Sequence, residues 1–374
     1  MAAVSPILRF AAPALPALLL ALAAPLSAGT IETRAGTVKV ERVADGLDVP
    51  WALAFLPDGG FLVTERDGRL WHFDRDGERR EVSGTPEVWA LGQGGLLDVM
   101  VPRDFAESRE VFLSFSKPQE GGAGTALAVG RLNEAGDALE DLDVIFEMTA
   151  SDDRGEHFGS RIVEAPDGRL FLTIGDRGDR NLAQDLSRHN GSIVRLERDG
   201  SLPDDNPFAS EGGAAAAIWS YGHRNPQGAA LDGEGQLWAV EHGAMGGDEV
   251  NRIEPGVNYG WPVIAYGLNY SGSKIGMGTE REGMAQPEYY WDPSIAPSGF
   301  TVYSGALWPE WRGAFLIGSL KFDYIAVLDP ETWDEEELHA EETGRVRDVR
   351  EAPDGSIWFL AEYSDAVYRI SPAE

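Results

Sequence analysis

The chain has 374 residues, no cysteine and a formal net charge of −31, from 31 basic and 62 acidic residues. The absence of cysteine excludes thiolate nucleophiles and cysteine-ligated zinc or iron–sulfur sites. An acidic surface repels phosphate backbones, which argues against nucleic acid as a partner. The excess of carboxylates is compatible with solubility alone or with calcium binding, because calcium takes hard oxygen ligands.

The first feature along the chain is an apolar N-terminal stretch. Met1–Ala28 carries one charge, Arg9, followed by a run rich in Ala, Leu and Pro that ends in small residues. This pattern is typical of a secretory signal peptide, and the prolines disfavour a membrane-spanning helix. We therefore expect export to the periplasm or the medium and a mature domain of residues 29–374 with no membrane span. An uncleaved anchor is the alternative.

A strand–turn–strand unit recurs through the rest of the chain. Three copies place a Pro-Asp-Gly turn between apolar strands, at residues 57–59, 166–168 and 353–355. Proline presets φ, aspartate bonds its own backbone and glycine adopts a positive φ. With weaker copies, six units begin near residues 50, 95, 160, 228, 299 and 347. Six similar antiparallel sheets predict an all-β, six-bladed β-propeller. A pair of β-sandwiches is the alternative.

In a propeller, loops from several blades form the binding site on one face, so the chemistry is spread along the sequence. His157 lies just before one predicted strand, and Asp176 lies just after the neighbouring strand. In an antiparallel hairpin these two positions fall at the same end. A histidine backed by a carboxylate is the usual form of an oriented general base. The alternative is a histidine that satisfies a loop hydrogen bond.

Basic residues stand out in a chain this acidic. Arg224 lies in a loop that opens a blade, next to His223, and Lys321, Arg345 and Arg347 follow near the C-terminus. Arginine suits planar anions, so these side chains could converge on one polyanion in the channel. Ordinary surface charge is the alternative. His223 is either a second base or a packed loop residue.

Glycines beside paired acids in the segment 241–251, which contains Asp248 and Glu249, resemble a calcium loop without full EF-hand spacing. The chain has no Gly-x-Gly-x-x-Gly opening a βαβ unit, and no Walker, His-Glu-x-x-His or Gly-x-Ser-x-Gly motif. Interpretations as an NAD-dependent enzyme, a nucleotide hydrolase, a zincin or an α/β-hydrolase therefore lose their support.

Taken together, five stretches resemble the soluble glucose/aldose sugar dehydrogenases that depend on pyrroloquinoline quinone (PQQ). The resemblance runs from about Val43 to Ile370. It is carried by Gly92-Gln93-Gly94-Gly95-Leu96-Leu97, His157 with Ile174-Gly175-Asp176, Gly222-His223-Arg224-Asn225-Pro226-Gln227-Gly228, Asn258-Tyr259-Gly260-Trp261-Pro262 and Arg345-Val346-Arg347-Asp348-Val349.

The resemblance implies a six-bladed propeller that binds PQQ and calcium and oxidises aldose mono- or oligosaccharides at the anomeric carbon to lactones. His157 would be the general base, Asp176 would orient it, and Gln93 would help to hold the sugar. Arg224 would face the quinone carbonyl, where negative charge develops. Electrons would pass to an external acceptor, either a quinone, a cytochrome or an artificial dye.

The resemblance also implies ligands for the cofactor and the metal. The cofactor's polar groups would be held by Arg224, Asn225, Lys321, Arg345 and Arg347. One calcium would bind PQQ and the carbonyls of Gly243 and Ala244, and a second would use Asp248, Glu249 and Tyr259.

Three departures from the glucose-oxidising members point to the broader aldose branch. His242 replaces Gln, Ala244 replaces Pro and Glu156 replaces Asp. Two alternatives remain. One is a calcium-dependent propeller lactonase, which needs metal-binding acidic residues in the channel but no basic residues to bind a cofactor. The other is a non-catalytic sugar-binding propeller.

Overall fold

The computed structural model describes residue 1 and residues 29–149 and 152–373, so the predicted signal peptide, apart from Met1, lies outside the described residues. Within these ranges the strands form six antiparallel sheets, each the blade of a propeller. Blade 1 consists of Pro50–Phe55, Phe61–Glu65, Leu70–Phe73 and Arg79–Val82. Blade 2 consists of Leu96–Met100, Glu110–Gln119, Gly122–Leu132 and Leu139–Glu147. Blade 3 consists of Ile162–Glu164, Leu170–Ile174, Ser192–Leu196 and Ile218–Tyr221.

Blades 4 to 6 complete the ring. Blade 4 consists of Pro226–Leu231, Leu237–Glu241, Asp248–Arg252 and Tyr289–Trp291. Blade 5 consists of Pro297–Val302, Phe315–Ser319, Ile325–Leu328 and Glu335–Leu338. Blade 6 consists of Val346–Glu351, Ile357–Ala361, Ala366–Pro372, Gly36–Ala44 and Gly29–Thr33. The short helices are Phe105–Ser108, which is α-helical, and the 3₁₀ turns Arg180–Gln184, Ala209–Glu211, Gly213–Ala217, Pro309–Trp311 and Glu341–Thr343. The predicted six-bladed propeller is confirmed.

The N-terminal strands close the ring. Gly36–Ala44 pairs antiparallel with the C-terminal strand Ala366–Pro372, with Val40 opposite Ile370, and Gly29–Thr33 adds a fifth strand at the outer edge. This pairing joins strands from the two ends of the described chain within blade 6, which closes the ring. The sequence analysis did not predict this closure.

The predicted turns have the expected internal bonds. In the turn of blade 1, Asp58 Oδ1 accepts the Gly60 N–H at 2.9 Å, and Gly59 has φ of +91°. Asp354 Oδ1 likewise accepts the Ser356 N–H at 3.0 Å in blade 6. These bonds satisfy the backbone where each strand reverses, as the Pro-Asp-Gly pattern predicts.

The core is divided into six apolar clusters, one between each pair of neighbouring blades. Leu113 and Phe115 of blade 2 pack with Trp51 and Leu62 of blade 1, for example. The corresponding clusters lie between the other five pairs of blades, including the last and first. Because each sheet buries both faces, its strands are apolar on both sides, which explains the continuous hydrophobic runs of the sequence.

Where the inner strands converge, a buried ion network ties blades together. Arg161 Nη1 lies 2.8 Å from Asp98 and 3.2 Å from Asp348, and Arg350 reaches the same two carboxylates at 2.9 and 3.0 Å. Each charge is paired, which offsets the cost of removing it from water. No helix in the described ranges is long and apolar enough to cross a membrane.

Candidate active site

The predicted histidine–carboxylate pair forms in blade 3. His157 precedes the inner strand Ile162–Glu164, and Asp176 follows the next strand, Leu170–Ile174, so the hairpin brings both to one end of the blade. The His157 Nδ1 lies 2.6 Å from Asp176 Oδ1. Asp176 is fully buried, and His157 keeps 9% of its surface exposed. The hairpin therefore brings these two residues together, as their positions in the sequence predict.

The surroundings of Asp176 keep its carboxylate ionised. Burial opposes the charge, but hydrogen bonds from His157 and Gly178 and the positive charge of Arg224 outweigh it, and the pKa of Asp176 is lowered. The Trp261 indole N–H donates to the other carboxylate oxygen at 2.7 Å. An ionised Asp176 holds the proton of His157 on Nδ1. In the neutral imidazole the Nε2 atom is then the acceptor, and no described residue hydrogen-bonds to it.

The backbone of His157 is fixed in an unusual conformation. Its φ is +54°, a left-handed value, and its N–H donates to Gln93 Oε1 at 2.9 Å. A Cβ on Gly175 would lie 2.1 Å from the His157 carbonyl oxygen, so only glycine allows this approach. Gln93 therefore positions the base through its carbonyl, which leaves its amide NH₂ free for another acceptor.

A buried arginine supports the loop that carries His157. Arg177 stacks on the Phe158 ring, with its guanidinium carbon 3.5 Å from the ring centroid. It donates to the carbonyls of Glu156 and Arg154, the latter at 2.6 Å, and pairs with Asp152 at 3.4 Å. Burial lowers the pKa of Arg177 to about 10, so it remains charged at neutral pH. It is a positioning residue that the sequence analysis missed.

An open cleft of about 260 Å³ gives access to this pair. Its lining combines charged, aromatic and small residues: Glu156, His157, Asp176, Gly178, Arg180, Arg224, Ala244, Trp261, Asn269 and Tyr270. The volume is close to the lower end of the range for small-molecule sites, about 300–1,000 Å³. The cleft is therefore the candidate substrate site, with the unprotonated Nε2 as its reactive acceptor.

Arg224 lies at the junction of this cleft with the interior. Its backbone N–H donates to Glu241 at 2.6 Å and its guanidinium to the His242 carbonyl at 3.3 Å. The neighbouring Asn225 is fully buried. The side-chain oxygen of Asn225, Oδ1, accepts the Gly159 N–H at 3.1 Å, but the side-chain NH₂ has no partner in the described chain. An unpaired buried donor is costly, and an acceptor on a bound molecule would satisfy it.

A second cavity of about 130 Å³ is strongly basic. It is lined by Trp51, Arg66, Gln93, Gln227, His242, Ala296, Leu320, Arg345 and Arg347. Arg347 donates to the side-chain oxygen of Gln227 at 2.7 Å. Arg345 and Arg347 both donate to the carboxylate of Glu362, and the bond from Arg347 is 2.5 Å long. Burial opposes the charge of Glu362, but the two arginines outweigh it and lower its pKa. Three guanidiniums against one carboxylate leave a net positive charge suited to an anion.

Lys321 is not part of this lining. Its side chain is exposed, and Nζ lies 4.9 Å from the centroid of the Phe322 ring. Its neighbour Leu320 does line the cavity. The predicted role of Lys321 in cofactor binding requires its side chain to leave Phe322, and it stays a prediction.

Two further histidines are fixed by their surroundings. His242 donates from Nε2 to the Pro297 carbonyl at 2.7 Å, and burial, followed by the charge of a neighbouring arginine, lowers its pKa to about 3. It is therefore neutral. His223 is fully buried between Glu241, 2.8 Å from Nδ1, and the Ser220 hydroxyl, 2.9 Å from Nε2. Of the two alternatives for His223, the packed residue is the one the structure supports.

Two glutamates face a small cavity of about 10 Å³ next to Arg224. Glu241 and Glu249 are directly opposite each other on neighbouring strands of blade 4. Burial, reinforced by the negative charge of Glu241, raises the pKa of Glu249 to about 8. The same cavity is lined by the predicted ligands Gly243, Ala244 and Tyr259. Paired carboxylates beside backbone carbonyls form an oxygen-rich site of the kind that calcium prefers.

The other predicted calcium ligand, Asp248, is occupied elsewhere. Both of its carboxylate oxygens accept from the Ser294 hydroxyl, at 2.9 and 2.8 Å. One also accepts the Gly243 N–H at 2.8 Å and the other the Ala296 N–H at 2.7 Å. Likewise the Tyr259 hydroxyl donates to the Arg252 carbonyl, which leaves its backbone carbonyl as the possible ligand. Within the described ranges, no group of three His, Cys, Asp or Glu residues could hold a metal.

Several site residues were missed at the level of sequence. They are Arg66, Arg177, Arg180, Glu241, Asn269, Tyr270 and Glu362. Glu241 begins the glycine-rich segment singled out as a calcium loop, and its strand position could have identified it. Arg66 and Glu362 each directly follow a strand, and Arg177 follows the recognised Asp176. Arg180, Asn269 and Tyr270 lie in the connections between strands, where no recognised motif marks them.

Comparison with known proteins agrees with this geometry. The family model for glucose/sorbosone dehydrogenase matches residues 47–369. The chain is 44% identical over 346 residues to aldose sugar dehydrogenase YliI of Escherichia coli (strain K12), covering 90% of this chain and 93% of that protein. It is 29% identical over 405 residues to quinoprotein glucose dehydrogenase B of Acinetobacter calcoaceticus, covering 85% and 84% respectively.

A solved structure extends the comparison. The PQQ-bound form of an aldose sugar dehydrogenase from Streptomyces coelicolor matches with a TM-score of 0.73 and 27% identity, covering 93% of this chain and 99% of that one. The likeness spans nearly the whole described propeller. The chain therefore belongs to the glucose/sorbosone dehydrogenase family.

Proposed function

We propose that the protein is a PQQ-dependent aldose dehydrogenase that oxidises the anomeric carbon of aldoses to lactones. The observation that carries the proposal is the His157–Asp176 pair, with its Nε2 acceptor in an open cleft that shares Arg224 with the interior. A base in the cleft and a positive cavity lined by Gln93, which bonds the His157 backbone, are the two parts that such a reaction requires.

The cofactor fits the residues that are present. PQQ carries several carboxylates and carbonyls, and the second cavity offers Arg66, Arg345 and Arg347. The unpartnered NH₂ of Asn225 supplies a further donor. Guanidiniums bind carboxylates through paired hydrogen bonds. When bound, the quinone supplies the acceptor for the hydride that leaves the anomeric carbon.

The chain's own residues handle the proton and the orientation of the sugar. His157 Nε2 accepts the proton of the anomeric hydroxyl, and Asp176 stabilises the imidazolium that results. The free amide NH₂ of Gln93 donates to a sugar oxygen. The Arg224 guanidinium offers positive charge where negative charge develops. Loss of this proton from the hydroxyl oxygen and of a hydride from the anomeric carbon converts the hemiacetal to the lactone.

Calcium fits the cavity lined by Glu241 and Glu249. Glu241 and Glu249 face each other, and the pKa of Glu249 is raised to about 8 by burial and by the charge of Glu241, so a cation that displaces this proton relieves the repulsion between them. The carbonyls of Gly243 and Ala244 lie beside it, so an ion there would also be close to Arg224. When bound, calcium supplies positive charge next to the cofactor.

The apolar N-terminal stretch supports export to the periplasm or the medium, and electrons would pass on to an external acceptor, either a quinone, a cytochrome or a dye. Of the alternatives, the lactonase does not need the arginine-rich cavity. The non-catalytic propeller does not need an oriented base with an unprotonated Nε2. Both features argue for the dehydrogenase.

The test is dye-linked oxidation of glucose and other aldoses by apo-protein, before and after addition of PQQ and calcium, with lactone as the measured product. Activity that requires both additions is expected. Absence of activity together with no absorbance change on mixing with PQQ would overturn the proposal and favour the sugar-binding propeller.

A further inference from the structure

The Trp261 side chain lies between two charged groups of the candidate site. It lines the substrate cleft together with Asp176, and it also lines the small cavity next to Arg224. It is half-buried, on the long loop between the strands Asp248–Arg252 and Tyr289–Trp291 of blade 4. Because Trp261 borders both spaces, one side chain can act on the aspartate and on the arginine at once.

The indole N–H of Trp261 controls one oxygen of the Asp176 carboxylate. The Oδ1 atom accepts from His157 Nδ1 at 2.6 Å and from the Gly178 N–H at 2.7 Å. The Oδ2 atom accepts the Trp261 N–H at 2.7 Å, and it has no other hydrogen-bond donor within the described ranges. Asp176 is 1% exposed, so water does not readily replace a lost donor. Without this N–H the carboxylate must turn or take up a proton, and either change alters its bond to His157.

The indole ring of Trp261 supports the guanidinium of Arg224. The guanidinium carbon lies over the ring, 5.4 Å from its centroid. In the described chain this guanidinium donates one hydrogen bond, to the His242 carbonyl at 3.3 Å, and forms no ion pair. The face of an aromatic ring attracts a cation. A carboxylate in the same place would neutralise the arginine, whereas the ring holds it and leaves its charge available to an anion.

The backbone of Trp261 is tied to the segments that carry both of its partners. Its N–H donates at 2.8 Å to the carbonyl of Gly222, in the loop that leads to Arg224. Its carbonyl accepts from Gln184 Nε2 at 2.8 Å, in the 3₁₀ turn that follows the aspartate. Gln184 and Asn258 exchange two side-chain amide hydrogen bonds of 2.9 and 2.8 Å. The indole therefore has a fixed position relative to the aspartate and the arginine.

We propose that Trp261 is a positioning residue with two separate actions: its N–H fixes the Asp176 carboxylate behind the base, and its ring holds the Arg224 guanidinium towards the cofactor. The inference rests on the proposed function, because it concerns the groups that take the proton and face the quinone. The two actions belong to different parts of one side chain, so substitution can separate them. Phenylalanine removes the N–H and keeps an aromatic face, whereas leucine removes both.

The first test combines dye-linked kinetics with glucose, in the PQQ- and calcium-loaded enzyme, and an absorbance titration of PQQ. Trp261→Phe should lower kcat about tenfold to hundredfold, the range of one hydrogen bond to a charged group, with PQQ affinity and the KM for glucose within about threefold of wild type. Trp261→Leu should lower kcat at least as far and bind PQQ about threefold to tenfold more weakly than Trp261→Phe. Trp219→Phe is the matched control, because the Trp219 indole N–H has no partner in the described chain, and it should change neither value.

A second measurement does not depend on turnover. Nitrogen NMR of histidine-labelled apo-protein reports which ring nitrogen of His157 carries the proton, with the signals assigned by their loss in His157→Asn. Wild type and Trp219→Phe should carry it on Nδ1, and Trp261→Phe should shift the balance towards Nε2.

Three results would each overturn the positioning role. They are unchanged His157 signals in Trp261→Phe, a kcat of that variant within about threefold of an active wild type, and a loss of PQQ affinity as large in Trp261→Phe as in Trp261→Leu. If the His157 signals change as expected but wild-type protein with PQQ and calcium oxidises no aldose, the proposed function fails and the action of Trp261 on Asp176 stands.

Discussion

Replacing Asp176 by asparagine tests the base assignment with almost no change of shape. Asp176 accepts hydrogen bonds from three donors, His157 Nδ1, the Gly178 N–H and the Trp261 indole N–H. An amide has one acceptor oxygen and a donor NH₂, so in either orientation the NH₂ faces at least one of these donors. If it faces His157, the imidazole must carry its proton on Nε2 and can no longer accept the proton of the sugar.

The size of the effect follows from the lost charge. The Nδ1–Oδ1 distance of 2.6 Å places the centres of the imidazolium and carboxylate charges roughly 4 Å apart. At an effective dielectric constant of about 20, that attraction is on the order of 4 kcal/mol. It exists only once the imidazolium has formed, so it acts on the barrier, and its loss corresponds to about a thousandfold in kcat.

The assay is dye-linked oxidation at saturating PQQ and calcium, with cofactor binding followed separately by absorbance. Asp176→Asn is expected to bind PQQ with nearly wild-type affinity while kcat falls by roughly 10²–10⁴-fold. Asp153→Asn is the control, since it removes the same charge from an exposed position on the loop before His157. A kcat within about threefold of wild type in Asp176→Asn would refute the role of the pair.

Three further predictions follow from the same geometry. Arg177→Met removes the guanidinium that holds the loop of His157. It should lower both kcat and the thermal midpoint and leave PQQ affinity unchanged. A fall in PQQ affinity as large as the fall in kcat would contradict a local role. Arg347→Ala should weaken PQQ binding at least about tenfold in an absorbance titration, with the fold retained by circular dichroism; unchanged affinity would remove Arg347 from the site. The pKa of Glu249 is raised to about 8 in the folded protein, whereas in the unfolded chain the same carboxyl group loses its proton near pH 4.5. The calcium-free protein should therefore lose stability as pH rises from about 4.5 to 8. Calcium should restore that stability at about pH 9, and Glu249→Gln should reduce the loss of stability between about pH 4.5 and 8 measured by thermal unfolding; an unchanged pH dependence in that variant would contradict the assignment.

The fold was predictable because its signals are local. Each of the three Pro-Asp-Gly turns fixes the reversal between two strands, and these units together with the three weaker copies give the number of blades. The closure by Gly36–Ala44 was not predictable in the same way. That strand belongs to no repeat unit of its own, and its partner Ala366–Pro372 lies at the opposite end of the chain. Only the ring geometry determines that the two ends meet.

The candidate site was predictable where one hairpin creates the contact. His157 and Asp176 are joined by a single pair of strands, so their proximity follows from the sequence once the strands are located. Arg347 and Glu362 likewise lie on the two strand ends of blade 6. Tyr270 reaches the site from the long loop between the strands Asp248–Arg252 and Tyr289–Trp291 of blade 4, and no local pattern gives the path of that loop.

The calcium region shows why residue type alone is insufficient. Asp248 and Glu249 are neighbours on one strand, so their side chains point to opposite faces of the sheet and cannot both face one ion. Glu249 shares its face with Glu241, its cross-strand partner. Like charges directly opposite each other destabilise a sheet unless something neutralises them. Strand register therefore selects Glu241 with Glu249, while Asp248 accepts the hydrogen bonds that hold the next blade's loop. A spacing motif identifies the acidic loop, but only the pairing of the strands identifies which of its carboxylates are available to a cation.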